Sequence, residues 1–129
     1  MPVIDSSPLA VVIEPRPALA ETVADALLVR GYEVVVAANH VGAAAQVIAR
    51  DHVHFLVAAV PAPGEDRSGA YLAVAREKNP GLAVVAMLSD PSEPMDEAPA
   101  TAVKIVKPFS RTELEAAIDL ALDLASAPI

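Results

Sequence analysis

The amino-acid sequence predicts an α/β domain built on a doubly wound, five-stranded parallel sheet. Short runs rich in Val and other apolar residues alternate along the chain with longer amphipathic segments rich in Ala and Leu. Three of the five short runs are almost continuously hydrophobic, which is typical of parallel strands covered on both faces. The chain has 129 residues, of which 54% are hydrophobic and 20% charged, the size and composition of one globular domain.

The predicted strands follow one another at regular spacing along the chain. They cover Leu9–Glu14, Tyr32–Ala37, Val53–Ala59, Leu82–Leu88 and Ala102–Val106. The second run differs from the others because polar and apolar residues alternate more in it, with Glu33 near its start. Since alternation indicates a less completely covered strand, we expect this strand to lie closer to an edge of the sheet.

Four amphipathic segments between and after these strands are predicted to be helices. They cover Ala18–Arg30, Val41–Arg50, Ser68–Lys78 and Ser110–Leu124. The predicted buried stripe of the first helix comprises Leu19, Val23, Ala26, Leu27 and, at its end, Val29. That of the last comprises Leu114, Ala117, Ile118, Ala121 and Leu122. Gly31 is expected to end the first helix, and Ser110 with Glu113 forms a capping box that begins the last.

The segment Ser89–Thr101 interrupts the alternation of strands and helices. It has three prolines and four acidic residues in thirteen positions, a composition that opposes a stable helix. We therefore expect the fourth helix of the fold to be shortened or missing. The predicted organisation is a tail over residues 1–8, one domain over 9–124, and a tail or the start of a linker over 125–129.

The charge and cysteine content exclude several classes of function. Nine Lys and Arg against 17 Asp and Glu give a net charge of −8, which argues against nucleic acid or anionic membranes as partners. The sequence has no cysteine, and so no disulfide, no thiolate nucleophile and no cysteine-based zinc site. Its apolar runs are far shorter than the roughly 20 residues that span a bilayer, and no basic segment precedes an apolar stretch at the N-terminus. We expect a cytoplasmic protein.

The predicted carboxyl ends of the strands, where parallel α/β sheets carry their chemistry, hold Glu14, Ala59, Ser89 and Lys107. Lys107 is followed by Pro108, Phe109 and the capped helix, and Ala59 is followed by Val-Pro-Ala-Pro-Gly. In these features the chain resembles the receiver domain of two-component response regulators, which has a flavodoxin-like (CheY-like) fold. The resemblance covers the chain from about Leu9 to Leu124.

The resemblance implies a role for each of these positions. Receivers are phosphorylated on an Asp that ends the third strand, four residues before Pro-Gly, and Ala59 occupies that position here. Their Mg²⁺-binding acidic pair corresponds to Glu14 and Pro15, and their switch Ser or Thr corresponds to Ser89. Their Lys-Pro pair, whose peptide bond is commonly cis, corresponds to Lys107–Pro108, and Lys104 replaces their switch aromatic residue.

These departures from the family pattern predict that the receiver chemistry is lost. Forming an acyl phosphate requires a carboxylate nucleophile, and the methyl group of Ala59 cannot act as one. A divalent metal requires several oxygen ligands, of which only Glu14 is retained, so we expect no metal and no cofactor. We expect Lys107 to form an ion pair with Glu14 in the space that the metal site occupies in receivers.

The sequence thus predicts a degenerate receiver, or pseudo-receiver, which is not an enzyme and acts through protein–protein contacts without phosphorylation. The resemblance implies a protein partner, namely a histidine kinase, another response regulator or a second copy of the chain. The candidate contact surface comprises Lys104, Arg111, Glu115 and Asp119, together with the segment Ser89–Thr101.

Two alternatives are left open. One is a sensor that binds an anionic metabolite in the residual crevice near Glu14, Ser89 and Lys107. The other is a regulatory domain that belongs to a longer chain.

Overall fold

A computed structural model of the chain describes residues 8–37, 53–60, 77, 81–89 and 102–126. Its elements are β1 (Leu9–Ile13), α1 (Pro17–Leu28), β2 (Glu33–Ala37), β3 (Phe55–Val60), β4 (Ala83–Leu88), β5 (Val103–Val106) and α2 (Arg111–Ser126). All five predicted strands are present, with ends that differ from the prediction by one or two residues. The helices predicted over Val41–Arg50 and Ser68–Lys78, and the segment after Ser89 that was expected to lack a full helix, lie outside the described residues.

The five strands form one parallel sheet in the order β2-β1-β3-β4-β5. This is the strand order of flavodoxin-like folds, so the predicted fold class is confirmed. β2 lies at one edge, as the alternation around Glu33 predicted, and β5 lies at the other. The order reverses between β1 and β3, which leaves a crevice beyond the carboxyl ends of these two strands.

Both faces of the three central strands, β1, β3 and β4, are buried, which explains why these strands are nearly continuously hydrophobic. On one face Val12, Val57 and Met87 pack with residues of α1 and α2 in a single cluster. On the other face Ile13 and Leu56 belong to a second cluster that is also almost inaccessible to solvent. Burial of this kind is the main favourable contribution to folding.

α1 ends at a glycine, as predicted. Gly31 has a positive φ of 94°, and its N–H donates to the carbonyl of Leu28 at 3.0 Å. The N–H of Tyr32 donates to the carbonyl of Leu27 at 3.2 Å, which completes a Schellman motif. The buried residues of α1 are Ala20, Val23, Ala26 and Leu27, whereas Val29, which still has a helical backbone conformation, is 75% exposed. The prediction that Val29 is buried was therefore wrong.

α2 begins with the predicted capping box. The Ser110 N–H donates to Glu113 Oε1 at 2.8 Å, and the Glu113 N–H donates to Ser110 Oγ at 3.0 Å. Leu114 and Ile118 are fully buried, whereas Leu122 is only partly buried. The helix continues two residues past the predicted end, to Ser126, because Ala125 and Ser126 carry no helix-stopping signal.

The backbone conformation of Gly31 makes it the more sensitive of two comparable glycines. We expect Gly31→Ala to lower the free energy of unfolding by about 1 kcal/mol, since an L side chain is strained at positive φ. A Cβ at Gly31 would meet nothing within 4 Å, so strain rather than a clash is the cause. Gly81 is equally open and has no positive φ, so Gly81→Ala is the matched control. Equal losses for both variants in urea unfolding would contradict this explanation.

Tyr32 packs edge-to-face on Phe55, with ring centroids 5.7 Å apart, and burial raises its pKa above the ordinary value of 10.0 while Arg30 opposes the shift. Above about pH 10 the unfolded phenol ionises before the folded one, which favours unfolding. We expect the free energy of unfolding to fall more in the wild type than in Tyr32→Phe between about pH 9 and about pH 11. Parallel declines in the two proteins would contradict the effect of burial.

Candidate functional site

The candidate site lies at the carboxyl edge of the sheet. Ile13 pairs in register with Ala58, and Leu88 with Val106. The residues that follow β1, β4 and β5, namely Glu14, Ser89 and Lys107, therefore all lie at the carboxyl ends of the strands. The backbone fixes two of these positions further. The Glu14 N–H donates to the carbonyl of Ala37 at 3.2 Å, and the Lys107 N–H donates to that of Leu88 at 2.8 Å.

Glu14 is the central polar residue of this site. Its side chain is fully buried, and Lys107 Nζ donates to its Oε1 at 2.6 Å. The backbone N–H of Arg16 donates to its Oε2 at 3.0 Å, so both carboxylate oxygens have a donor. The ion pair predicted between Lys107 and Glu14 is confirmed. The Lys107 side chain is 15% exposed, so the pair lies just below the surface.

Ala59 lies one residue before the end of β3, paired in register with Met87 of β4. It is 4% exposed. Strand alternation places it on the same face of the sheet as Val57, which is the face covered by α1 and α2. The same alternation, continued beyond β1, places Glu14 on that face, so the residues predicted to correspond to the phosphorylated Asp and to one acidic residue of receivers share one side of the sheet. Pro15, the other position of the acidic pair, is exposed.

An open pocket lies beside the ion pair. It has a volume of about 500 Å³ and is lined by Arg16, Leu19, Ser89, Lys107, Pro108 and Phe109. The Lys107–Pro108 peptide bond is cis, as the resemblance to receivers implied. Arg16 and Leu19 were not among the predicted site residues. The signal that could have indicated Arg16 is its place between the end of β1 and the first helical residue, Pro17, since such connections line the crevice of these folds.

The predicted contact residues do not form one surface. Lys104 is exposed on β5 in register with Ala86, whose side chain belongs to the face away from α1 and α2. On α2, Arg111 forms an ion pair with Glu115 at 2.8 Å, and Asp119 forms one with Arg30 at the end of α1. These three residues of α2 are thus engaged within the chain and lie on the other side of the sheet from Lys104.

The described residues provide neither a metal site nor a membrane-spanning helix. Within the described ranges, no three His, Cys, Asp or Glu side chains come together in a way that could hold a metal ion. Neither of the two helices in these ranges is long and apolar enough to cross a membrane.

The fold of the chain is that of response regulator receiver domains. A receiver protein from Sinorhizobium medicae WSM419 superimposes with a TM-score of 0.79 at 16% identity, over 94% of this chain and 98% of that one. The receiver domain of an HD domain-containing protein from Pseudomonas fluorescens Pf-5 gives 0.76 at 18% identity, over 97% and 93%.

A third similar structure has a phosphorylated aspartic acid. A response regulator from Burkholderia pseudomallei, with a phosphorylated aspartic acid, a calcium ion and citrate, gives a TM-score of 0.68 at 21% identity over 86% of this chain and 66% of that one. No protein-family model matches the chain, and no curated protein matches it. At these identities the structural likeness shows the fold.

The buried ion pair makes the loss of its lysine alone more destabilising than the loss of both charges. We expect Lys107→Met to lower the free energy of unfolding by about 3 kcal/mol, because it leaves the fully buried Glu14 carboxylate without its cation. Glu14→Gln combined with Lys107→Met should cost clearly less, since no buried charge is then left unpaired. Urea unfolding of both variants checks this. A double variant less stable than Lys107→Met would contradict it.

Proposed function

We propose that the chain is a signalling module of the receiver type that works without phosphorylation and acts through contact with a protein partner. The observation that carries this proposal is the identity of residue 59. A buried Ala, 4% exposed, occupies the position at which receivers carry their phosphorylated Asp. Acyl phosphate formation requires a carboxylate oxygen, and this side chain has none.

The state of the two retained polar residues supports the same proposal. In receivers the Lys after the fifth strand meets the phosphoryl group, whereas Lys107 Nζ here lies 2.6 Å from Glu14. Glu14 in turn has both oxygens occupied by donors within the chain. With Pro15 in place of the second acidic residue, the oxygen ligands that would hold Mg²⁺ are reduced to a carboxylate already neutralised by a lysine. We propose that the module has no enzymatic activity and no resident metal or cofactor.

The proposed partner is a protein, either a histidine kinase, another response regulator or a second copy of the chain. Leu120 and Leu124, four residues apart on α2, are 49% and 37% exposed, and exposed apolar residues of this size support a protein contact on that helix. Lys104 on the β5 edge is a second candidate contact. The net charge of −8 argues against nucleic acid and membranes as partners, and a cytoplasmic location fits the proposal.

Treatment with acetyl phosphate and Mg²⁺ tests the chemical half of the proposal. We expect the intact mass of the chain to stay unchanged, because no nucleophile is present at residue 59, while a receiver with an intact Asp gains one phosphoryl group in parallel. Stoichiometric phosphate that hydroxylamine releases, as it does from an acyl phosphate, would overturn the proposal.

Partner capture tests the contact half. The tagged chain and its Leu120→Glu variant are used to recover proteins from a lysate, with and without acetyl phosphate. We expect a kinase or regulator in equal amounts under both conditions, and less of it with the variant. Recovery that depends on acetyl phosphate would contradict independence from phosphorylation.

The pocket beside Lys107 favours a second function, the sensor of a small anion that the sequence left open. The predicted cradle of Glu14, Ser89 and Lys107 is not sufficient by itself, because Glu14 already neutralises Lys107. Arg16 also lines the pocket and supplies a further positive charge, so the site can accept an anionic ligand there.

A further inference from the structure

The pocket beyond β1 and β5 combines an apolar wall with a polar one. Leu19, Pro108 and Phe109 form the first, and Arg16, Ser89 and Lys107 form the second. Its volume of about 500 Å³ lies within the range of small-molecule sites, roughly 300 to 1,000 Å³. An apolar wall faced by a few polar groups is the usual composition of such sites.

The charges around the pocket favour a ligand with a single negative charge. Lys107 and the buried Glu14 cancel each other, since they form an ion pair at 2.6 Å. The guanidinium of Arg16 forms no ion pair with any of the described residues, so within that part of the chain it is the one lining cation without an acidic partner. A dianion such as a phosphate monoester would bring a second negative charge, and the described lining residues offer no second unpaired cation to balance it.

The beginning of α1 adds to this preference. The helix starts at Pro17, beside Arg16, with no side-chain cap and no acidic residue in its first turn. The Glu14 carboxylate accepts from the Arg16 N–H at the start of this helix, whereas the first turn itself has no acidic side chain, and Leu19, from that turn, lines the pocket. The planar guanidinium of an arginine also matches the geometry of a carboxylate better than the ammonium group of a lysine does.

We propose that this pocket binds a small organic acid with one carboxylate and a flat apolar body. The carboxylate binds to the guanidinium of Arg16, and the apolar body packs against Leu19, Pro108 and Phe109. Ser89 supplies a hydroxyl at the rim. This rests on the second proposed function, the sensor of a small anion, and names the chemical class of its ligand. It depends on Arg16 and the apolar wall, and not on whether residue 59 can be phosphorylated.

Isothermal titration with 2-naphthoate tests the proposal, and 2-naphthamide, its neutral isostere, and inorganic phosphate serve as the comparison ligands. We expect 2-naphthoate to bind at least roughly tenfold more tightly than 2-naphthamide, and inorganic phosphate to bind weakly, since it lacks the apolar body. Equal binding of the naphthoate and the naphthamide, or no naphthoate binding at millimolar concentration, would overturn it.

Variants of the two exposed arginines locate the binding. Arg16→Gln should weaken 2-naphthoate binding by roughly tenfold or more, and Arg16→Lys by less, because lysine keeps the charge and loses the fork. Arg111→Gln is the matched control, since Arg111 is exposed and pairs with Glu115 away from the pocket lining, and it should bind like the wild type. Equal losses for Arg16→Gln and Arg111→Gln would overturn the assignment to this pocket.

The outcomes separate this inference from the proposed function. If the chain neither binds 2-naphthoate nor takes up phosphate, the proposed ligand site is wrong, whereas the proposed protein-contact module is still supported. Naphthoate binding that depends on Arg16, in a chain that acetyl phosphate does label, supports the ligand site and overturns independence from phosphorylation.

Discussion

The buried carboxylate of Glu14 constrains the rest of the site. A carboxylate withdrawn from water destabilises the fold unless donors replace its hydration, and here Lys107 and the Arg16 N–H replace it. Lys107 follows β5 whereas Glu14 follows β1, and β3 and β4 lie between these strands in the sheet. The ion pair therefore spans the ends of two intervening strands, and it can form because β1 and β5 are parallel and end on the same side of the sheet.

This arrangement changes what the receiver fold can do. A phospho-switch requires a charge that arrives and leaves, so that two conformations differ in their contacts with it. Both partners of the pair of Glu14 and Lys107 belong to the chain, so neither charge arrives or leaves. A lysine held at 2.6 Å by a resident carboxylate has already made the contact that a phosphoryl group would offer it. Under the proposed function, the chain therefore has the receiver fold without a charge that arrives and leaves.

Features of the fold that depend on local sequence were predictable, and those that depend on packing were not. The strands, the Gly31 helix end and the box of Ser110 with Glu113 follow from patterns only a few residues long. The contact of Lys107 with Glu14 was reached through the resemblance to receivers, not through periodicity. The ion pair of Arg30 with Asp119 and the lining role of Arg16 were missed, because each depends on how α1 lies against the rest of the fold.

The two described cations without an ion pair lie at different places, one at the proposed ligand pocket and one at a proposed partner contact. The described ranges hold five Lys and Arg residues, and three of them form ion pairs with acidic residues of the chain. The other two are Arg16, at the pocket, and Lys104, on the β5 edge, whose side chain starts on the sheet face away from α1 and α2. A ligand at Arg16 and a partner at Lys104 would therefore occupy different sides of the sheet. Binding at one could affect the other only through the shared strands, because the two contacts do not compete for the same surface.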